Sequence, residues 1–243
     1  MIKEPRWGSL RATLFGKFYE AIVAHYFAEE LNFEVFDRDI VIDIGFLKGI
    51  NYNNQNLVRK LENAVEQGII NNGLKDRLLD KFKVALNGLN RRRRFNPDLV
   101  VKKGDKYYVV EMQVWPAWLK HRYGVPKFSW NVILNEGVAI IPRVLADKVK
   151  VHGKTYDLSG FYYVTLGRSN DHNSIENFFK DLTGREFKLW YVDEVICQCY
   201  EREWFRDIIS AVKHHVDDSL AGLNHGEIRI CLRVSKGNLV GWF

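Results

Sequence analysis

One short segment, residues 98–114, limits the possible folds of this chain more than any other, because it reads as two strands joined by a tight turn. Residues 98–103 and 106–114 are rich in β-branched and aromatic residues. Between them stand Gly104 and Asp105, and a two-residue loop with glycine first suits a type II′ turn. The segment therefore predicts a β-hairpin.

The register of this hairpin follows from its loop. If the loop has two residues, Lys103 pairs with Lys106, and counting outward places Asp98 opposite Glu111 on the same face. Gln113 lies two residues beyond Glu111, and the period of two in a strand returns it to that face. Three oxygen-bearing side chains therefore converge at one end of the hairpin.

Two adjacent carboxylates repel each other unless a cation or a proton neutralises them. Their hard oxygen atoms suit Mg²⁺ or Mn²⁺, and such a site is well suited to phosphate chemistry. A solvated polar edge of the hairpin is the alternative. The pattern favours a sheet packed on one side only, with the acids on the other side, since the opposite face carries Leu99, Val101, Tyr108, Val110 and Met112.

These residues resemble the motif of the PD-(D/E)XK nuclease superfamily, in which Pro-Asp on one strand is followed by (Asp/Glu)-x-Lys on the next. Pro97, Asp98 and Glu111 match the motif, and Gln113 stands where the family usually has lysine. The resemblance implies an endonuclease that hydrolyses phosphodiester bonds in DNA and depends on Mg²⁺ or Mn²⁺. Asp98 and Glu111 would hold the ion, and Gln113 would orient the attacking water.

The glutamine departs from the family's pattern, because it carries no charge and takes up no proton. Some restriction endonucleases of the family also have glutamine there, and Lys120 or Lys127 could supply a relocated amine. A catalytically degenerate nuclease fold that binds DNA without cleaving it is the alternative function. A regulatory protein whose basic surface meets an acidic partner is a third.

The resemblance also implies a fold. We expect an α/β (α+β) protein with a restriction-endonuclease-like αβββαβ core, in which helices flank a mixed central sheet. One domain would span residues 1–243, with its core at about 8–142, a helical insertion at about 53–90 and a C-terminal extension at about 143–243. Apolar periodicity and strand propensity predict a first helix at 10–31, a strand at 33–46 broken near 37–39, two inserted helices, a second core helix at 126–135 and a strand at 137–141 that ends at Pro142.

Glu20 lies in the first predicted helix, between Gly16 and Ala24, whose small side chains would let a sheet or ligand approach. In Holliday-junction resolvases and related members of the family, a glutamate on the first helix completes the metal site. The resemblance therefore assigns Glu20 as a third ligand. It also points to the junction-resolving and archaeal-virus branches, and to branched or otherwise structured DNA as the substrate. A glutamate solvated beside Lys17 is the alternative.

Basic clusters flank the hairpin on both sides. The net charge of +6 and the pI near 9.1 favour an anionic partner, and we expect DNA. Forked arginine donors close to the acids would hold backbone phosphates, whereas a solvated charge run is the alternative. The candidate DNA contacts are Arg91, Arg92, Arg93, Arg94, Lys120, His121, Arg122 and Lys127.

The chain has no 18-residue apolar run, and its basic, mixed N-terminus lacks the apolar core of a signal peptide. We therefore expect an intracellular protein without a membrane partner, in the host cytoplasm if it is viral. Cys197, Cys199 and Cys231 show no zinc spacing, and no organic cofactor is expected. One metal site per chain favours a homodimer, because two sites are needed to cut two strands.

Overall fold

The computed structural model describes residues 18–43, 55–88, 94–113, 129–165, 170–199, 201–210, 231–235 and 238–242. These residues form a mixed β-sheet flanked by helices, which confirms the expected α/β (α+β) class. Among the described helices, none combines the length and the apolar character needed to cross a membrane.

Helices cover both faces of the sheet. They are α1 (18–25, which continues as the π-helical turn Tyr26–Glu30), α2 (Gln55–Glu66), α3 (Asn72–Gly88), α4 (Trp130–Leu145), α5 (His172–Thr183), α6 (Val192–Cys199) and α7 (203–210). The strands are β1 (Glu34–Phe36), β2 (Ile40–Asp43), β3 (Arg94–Phe95), β4 (Leu99–Lys103), β5 (Lys106–Gln113), β6 (Lys148–Val151), β7 (Lys154–Thr165), β8 (Glu186–Tyr191), β9 (Cys231–Ser235) and β10 (Asn238–Trp242).

Eight strands form one sheet, in the order β1-β4-β5-β7-β6-β2-β3, with β8 also paired to β7. The neighbours β1, β4 and β5 are antiparallel, whereas β5, β7 and β8 run parallel. The long strand β7 pairs with β6 through its first residues and with β8 through its last. Apart from this sheet, β9 and β10 form a hairpin of their own.

The centre of the sheet comes from a part of the chain that we expected to be an extension. β7 begins at Lys154, beyond the predicted core boundary near residue 142, and it joins β5 to β6 and β8. In chain order, α1, β1, β4, β5, α4 and β7 follow one another as helix, three strands, helix and strand. The strands β2, β3 and β6 and the helices α2 and α3 are interposed among them, whereas β8, β9 and β10 follow β7.

Two local expectations are confirmed. The helices α2 and α3 occupy the expected helical insertion. The first strand is broken at residues 37–39, where Asp39 adopts a φ of 53°. The two halves belong to different parts of the sheet, because β1 pairs with β4 whereas β2 pairs with β3 and β6.

The strand expected at residues 137–141 is wrong. Helix α4 runs through this segment and includes Pro142, whose carbonyl accepts a hydrogen bond from the Ala146 N–H. Ile133, Ile140 and Val144 are buried at positions i, i+7 and i+11, which is the spacing of one helical face. A five-residue apolar run fits either a strand or a buried helix, and only packing of the whole segment distinguishes them.

Both faces of the sheet are buried, so the expectation of a sheet packed on one side is also wrong. Leu99, Val101 and Val110 share a core with residues of α1, α6 and α7. The alternate residues Val100 and Val109 share a second core with residues of α2, α3, α4 and α5. We call the first side the aromatic face and the second side, which carries Glu111, the acidic face.

Candidate metal and phosphate site

The hairpin has the predicted register. Lys103 pairs with Lys106, and the pairing continues to Leu99 and Val110. Gly104 adopts a φ of 59°, which a non-glycine residue rarely does, and this matches the first loop position of a type II′ turn. The loop therefore has two residues, as the sequence predicts. The last pair joins Leu99 to Val110, directly next to Asp98 and Glu111.

Asp98 and Glu111 lie together at the open end of this hairpin. The Oδ2 atom of Asp98 accepts a hydrogen bond of 2.7 Å from the Met112 N–H, which ties its carboxylate to β5. Asp98 also acts on Glu111 in two ways, through its negative charge and through a backbone hydrogen bond. The predicted convergence of these two acids is therefore present.

The carboxyl group of Glu111 is unusual because it is buried, with only 9% of the residue exposed. Desolvation raises the pKa of Glu111 well above its usual 4.5, and the charge of Asp98 adds to that effect. The nearby charge of Arg143 and the backbone hydrogen bond from Asp98 act in the opposite direction. A carboxyl group in this position binds either a proton or a cation.

Arg143 is the functional candidate that sequence reasoning missed. It lies in the last turn of α4, and its Nε atom is 2.9 Å from Oε1 of Glu111. The two side chains form an ion pair. The guanidinium also lies over the ring of Phe95, 5.8 Å from its centroid. Arg143 was missed because the sequence predicts a strand at 137–141 that ends at Pro142. The helix α4 instead continues past Pro142, and Arg143 therefore lies in its last turn beside Glu111.

The backbone pairing of β5 shows where Gln113 lies in the sheet. β5 ends at Gln113, which pairs with Thr165 at the end of the central strand β7. Since Gln113 follows Glu111 by two residues in one strand, strand alternation puts both positions on the acidic face. The expected arrangement of Asp98, Glu111 and position 113 is thus present at the level of the strands.

Glu20 is not gathered with these acids. Its neighbours Phe18, Ile22 and Val23 pack on the aromatic face, whereas Glu111 belongs to the acidic face. Within the described ranges, no three or more His, Cys, Asp or Glu side chains are grouped so that they could hold a metal ion. A role for Glu20 as third ligand stays a prediction, and the arrangement itself offers two carboxylates.

Arg94 is the candidate DNA contact that falls within the described residues. Arg94 lies four residues before Asp98 and is exposed on β3. Its backbone pairs with Asp43 of β2. The remaining candidates lie outside the described residues: Arg91, Arg92, Arg93, Lys120, His121, Arg122 and Lys127.

No protein-family model matches this chain, and neither the curated proteins nor the solved structures contain a match. The resemblance to the PD-(D/E)XK superfamily therefore rests on the motif residues and on their arrangement in the hairpin.

Proposed function

We propose that this chain is a metal-dependent DNA endonuclease of the PD-(D/E)XK type. The proposal is carried by one observation: Asp98 and a buried Glu111 meet at the open end of a hairpin in the predicted register. Burying a carboxyl group beside a second one is unfavourable for stability, and such arrangements are common at functional sites.

The residues fit a divalent ion. Asp98 and Glu111 offer carboxylate oxygens, and a cation would offset both the desolvation of Glu111 and its repulsion by Asp98. Mg²⁺ in particular is often held by one or two carboxylates, with water and phosphate oxygens completing its coordination. When bound, the ion would supply polarisation of the scissile phosphate and a water of lowered pKa.

The surrounding residues have separate parts in this mechanism. The Met112 N–H orients the carboxylate of Asp98, and Gln113, two residues beyond Glu111 in β5, would orient the attacking water. Arg94, which ends the run of four arginines, is exposed and would bind a backbone phosphate of the DNA strand. The helix, three strands, helix and strand formed by α1, β1, β4, β5, α4 and β7 support the same family.

Two further parts of the proposal concern the setting of the reaction. A homodimer would place two sites on two DNA strands, and branched DNA is the proposed preferred substrate. An intracellular location would give the protein access to that DNA.

The test is a cleavage assay with Mg²⁺ or Mn²⁺ on plasmid, linear, single-stranded and four-way-junction DNA. Asp98→Asn and Glu111→Gln should each lower the cleavage rate by about 100-fold or more, as expected when a group that stabilises transition-state charge is lost. Asp105→Asn removes an exposed carboxylate from the turn of the same hairpin and should leave the rate unchanged. Undiminished cleavage by both site variants would refute the site assignment.

A DNA-binding protein on a degenerate nuclease fold is the second candidate, because position 113 is uncharged and Arg143 already pairs with Glu111. That function predicts salt-sensitive DNA binding without cleavage and without metal dependence. The absence of DNA binding at low salt would instead favour a regulatory protein with an acidic partner.

A further inference from the structure

The ion pair between Arg143 and Glu111 joins the proposed site to a helix that the motif does not include. The side chain of Arg143 is 22% exposed and that of Glu111 is 11% exposed, so the pair is largely screened from water. The attraction between two charges is stronger there than at the surface, and removing one partner is costly because it leaves the other charge buried and unpaired. Burial thus makes the charge of Arg143 important to the state of Glu111.

The position of Arg143 is well defined by its surroundings. Its neighbours Ile141 and Val144 are buried in the core of the acidic face, and its guanidinium rests over Phe95. Arg185 also holds the end of α4, because it donates hydrogen bonds to the carbonyls of Val144 and Ala146. The fold therefore delivers a positive charge to a fixed place beside Glu111.

The carboxyl group of Glu111 has two partners of different kinds. Nε of Arg143 lies 2.9 Å from Oε1, and the backbone N–H of Asp98 donates a hydrogen bond to the same carboxyl group. Outer partners of a ligating carboxylate orient it, and they strongly affect metal affinity. The motif lysine that would bring a positive charge to this face is absent, because position 113 is glutamine.

We propose that Arg143 is a positioning residue of the site: its guanidinium holds Glu111 for metal binding and supplies the positive charge that position 113 lacks. This inference rests on the proposed function. It assigns Arg143 to the reaction through Glu111 rather than through direct contact with the DNA.

The experiment measures Mn²⁺ binding to the full chain by calorimetry without DNA, and DNA cleavage in parallel. Arg143→Met keeps a similar length without the charge and should weaken Mn²⁺ binding by about 10- to 100-fold, the usual effect of losing an outer partner of a metal ligand. Cleavage should fall at least as much. Arg143→Lys should keep most of both properties, because the charge remains.

A lysine at position 113 separates the charge from a merely structural effect. The double variant R143M/Q113K should recover about tenfold in cleavage over R143M, since position 113 lies on the same face as Glu111. The matched control is Arg202→Met, which removes an arginine from the 2.8 Å ion pair with Glu30 and should alter neither property.

The outcomes distinguish this inference from the function on which it rests. If the wild type neither binds Mn²⁺ nor cleaves DNA, the proposed function fails and the role of Arg143 with it. If the wild type does both and Asp98→Asn abolishes cleavage, then wild-type behaviour of R143M would overturn the role of Arg143 alone. If R143M does not fold, Arg143→Gln takes its place, and wild-type Mn²⁺ binding and cleavage by Arg143→Gln would overturn the role of Arg143.

Discussion

Both faces of the central sheet are buried by apolar residues, but the acidic face also contains a buried ion pair. On the aromatic face, the ring of Phe27 stacks on Trp190 with centroids 4.8 Å apart and meets Tyr162 edge-on at 5.2 Å. On the acidic face, Glu111 and Arg143 form an ion pair beside Asp98. The neighbouring residues Val110 and Glu111 of one strand thus point into these two different environments.

The difference separates stability from function. Buried aromatic rings gain free energy from the removal of apolar surface and from edge-to-face contacts. A buried ion pair gains little or nothing, because desolvation offsets the attraction between its charges. The acidic face therefore has charged groups at a position where apolar residues would serve folding equally well, which is why we place the function there.

The largest effect should come from removing one buried ring on each face. Phe27→Ala and Phe179→Ala each delete a fully buried side chain, and each should lower the free energy of unfolding by about 3–5 kcal/mol. Chemical denaturation would measure both values. Similar losses would show that the apolar parts of the two faces contribute equally, whereas a much smaller loss for Phe179 would break the comparison.

A smaller effect should come from adding an atom to the aromatic face. Gly160 in β7 has no side chain, and a Cβ there would lie 2.6 Å from the carbonyl oxygen of Glu186 and 2.9 Å from the ring of Tyr108. Gly160→Ala should therefore cost about 1–3 kcal/mol, as overpacking usually does. Thermal unfolding would measure it, and an unchanged melting temperature would show that β7 and β8 separate easily.

Burial of Glu111 on the acidic face should make the stability of the protein depend on pH. Since the fold raises the pKa of Glu111, its contribution to stability is fully present below the unfolded pKa near 4.5 and is lost as the pH rises through the folded pKa. Glu111→Gln removes the carboxyl group and therefore prevents this loss of stability at high pH. In a metal-free buffer, the melting temperature of this variant relative to wild type should be higher at pH 7.5 than at pH 4.

The control for this pH experiment is Asp105→Asn, which changes an exposed carboxylate of the same hairpin. Its melting temperature relative to wild type should be the same at both pH values. A Glu111→Gln difference that does not change with pH would contradict the buried, proton-binding character of the acidic face.

The smallest effect is expected from chemical labelling of the cysteines in helix α6. This helix covers the aromatic face. Cys197 is exposed, whereas Cys199 is buried, and desolvation raises the pKa of the Cys199 thiol to about 12. In a Cys231→Ser background, a maleimide at pH 7.5 should label one thiol in the native protein and two in denaturant. Two labelled thiols in the native state would show that α6 detaches from the sheet.

The hairpin could be predicted because its information is local. A glycine with positive φ and a two-residue loop determine the pairing of Lys103 with Lys106, and every later pair follows by counting. The same counting places Asp98 and Glu111 together and puts Gln113 on their face. The part of the site that lies within the hairpin could therefore be predicted from residues close in sequence.

The rest could not be predicted in this way, because it depends on contacts between distant segments. The apolar run at 137–141 suits a strand by propensity, and it becomes part of α4 because the whole helix packs on the sheet, with Ile133, Ile140 and Val144 buried. Arg143 meets Glu111 from 32 positions further along the chain because α4 crosses the acidic face there. Burial of both faces likewise required the helices from both ends of the chain.

The sequence by itself determined the hairpin, its register and the meeting of two carboxylates, since strand alternation and turn geometry act over a few residues. Tertiary structure alone decided that Glu111 is buried and that Arg143 stands beside it. It also placed α1, with Glu20, against the other face of the sheet. Desolvation and ion pairing depend on which surfaces pack together, and no local pattern encodes that.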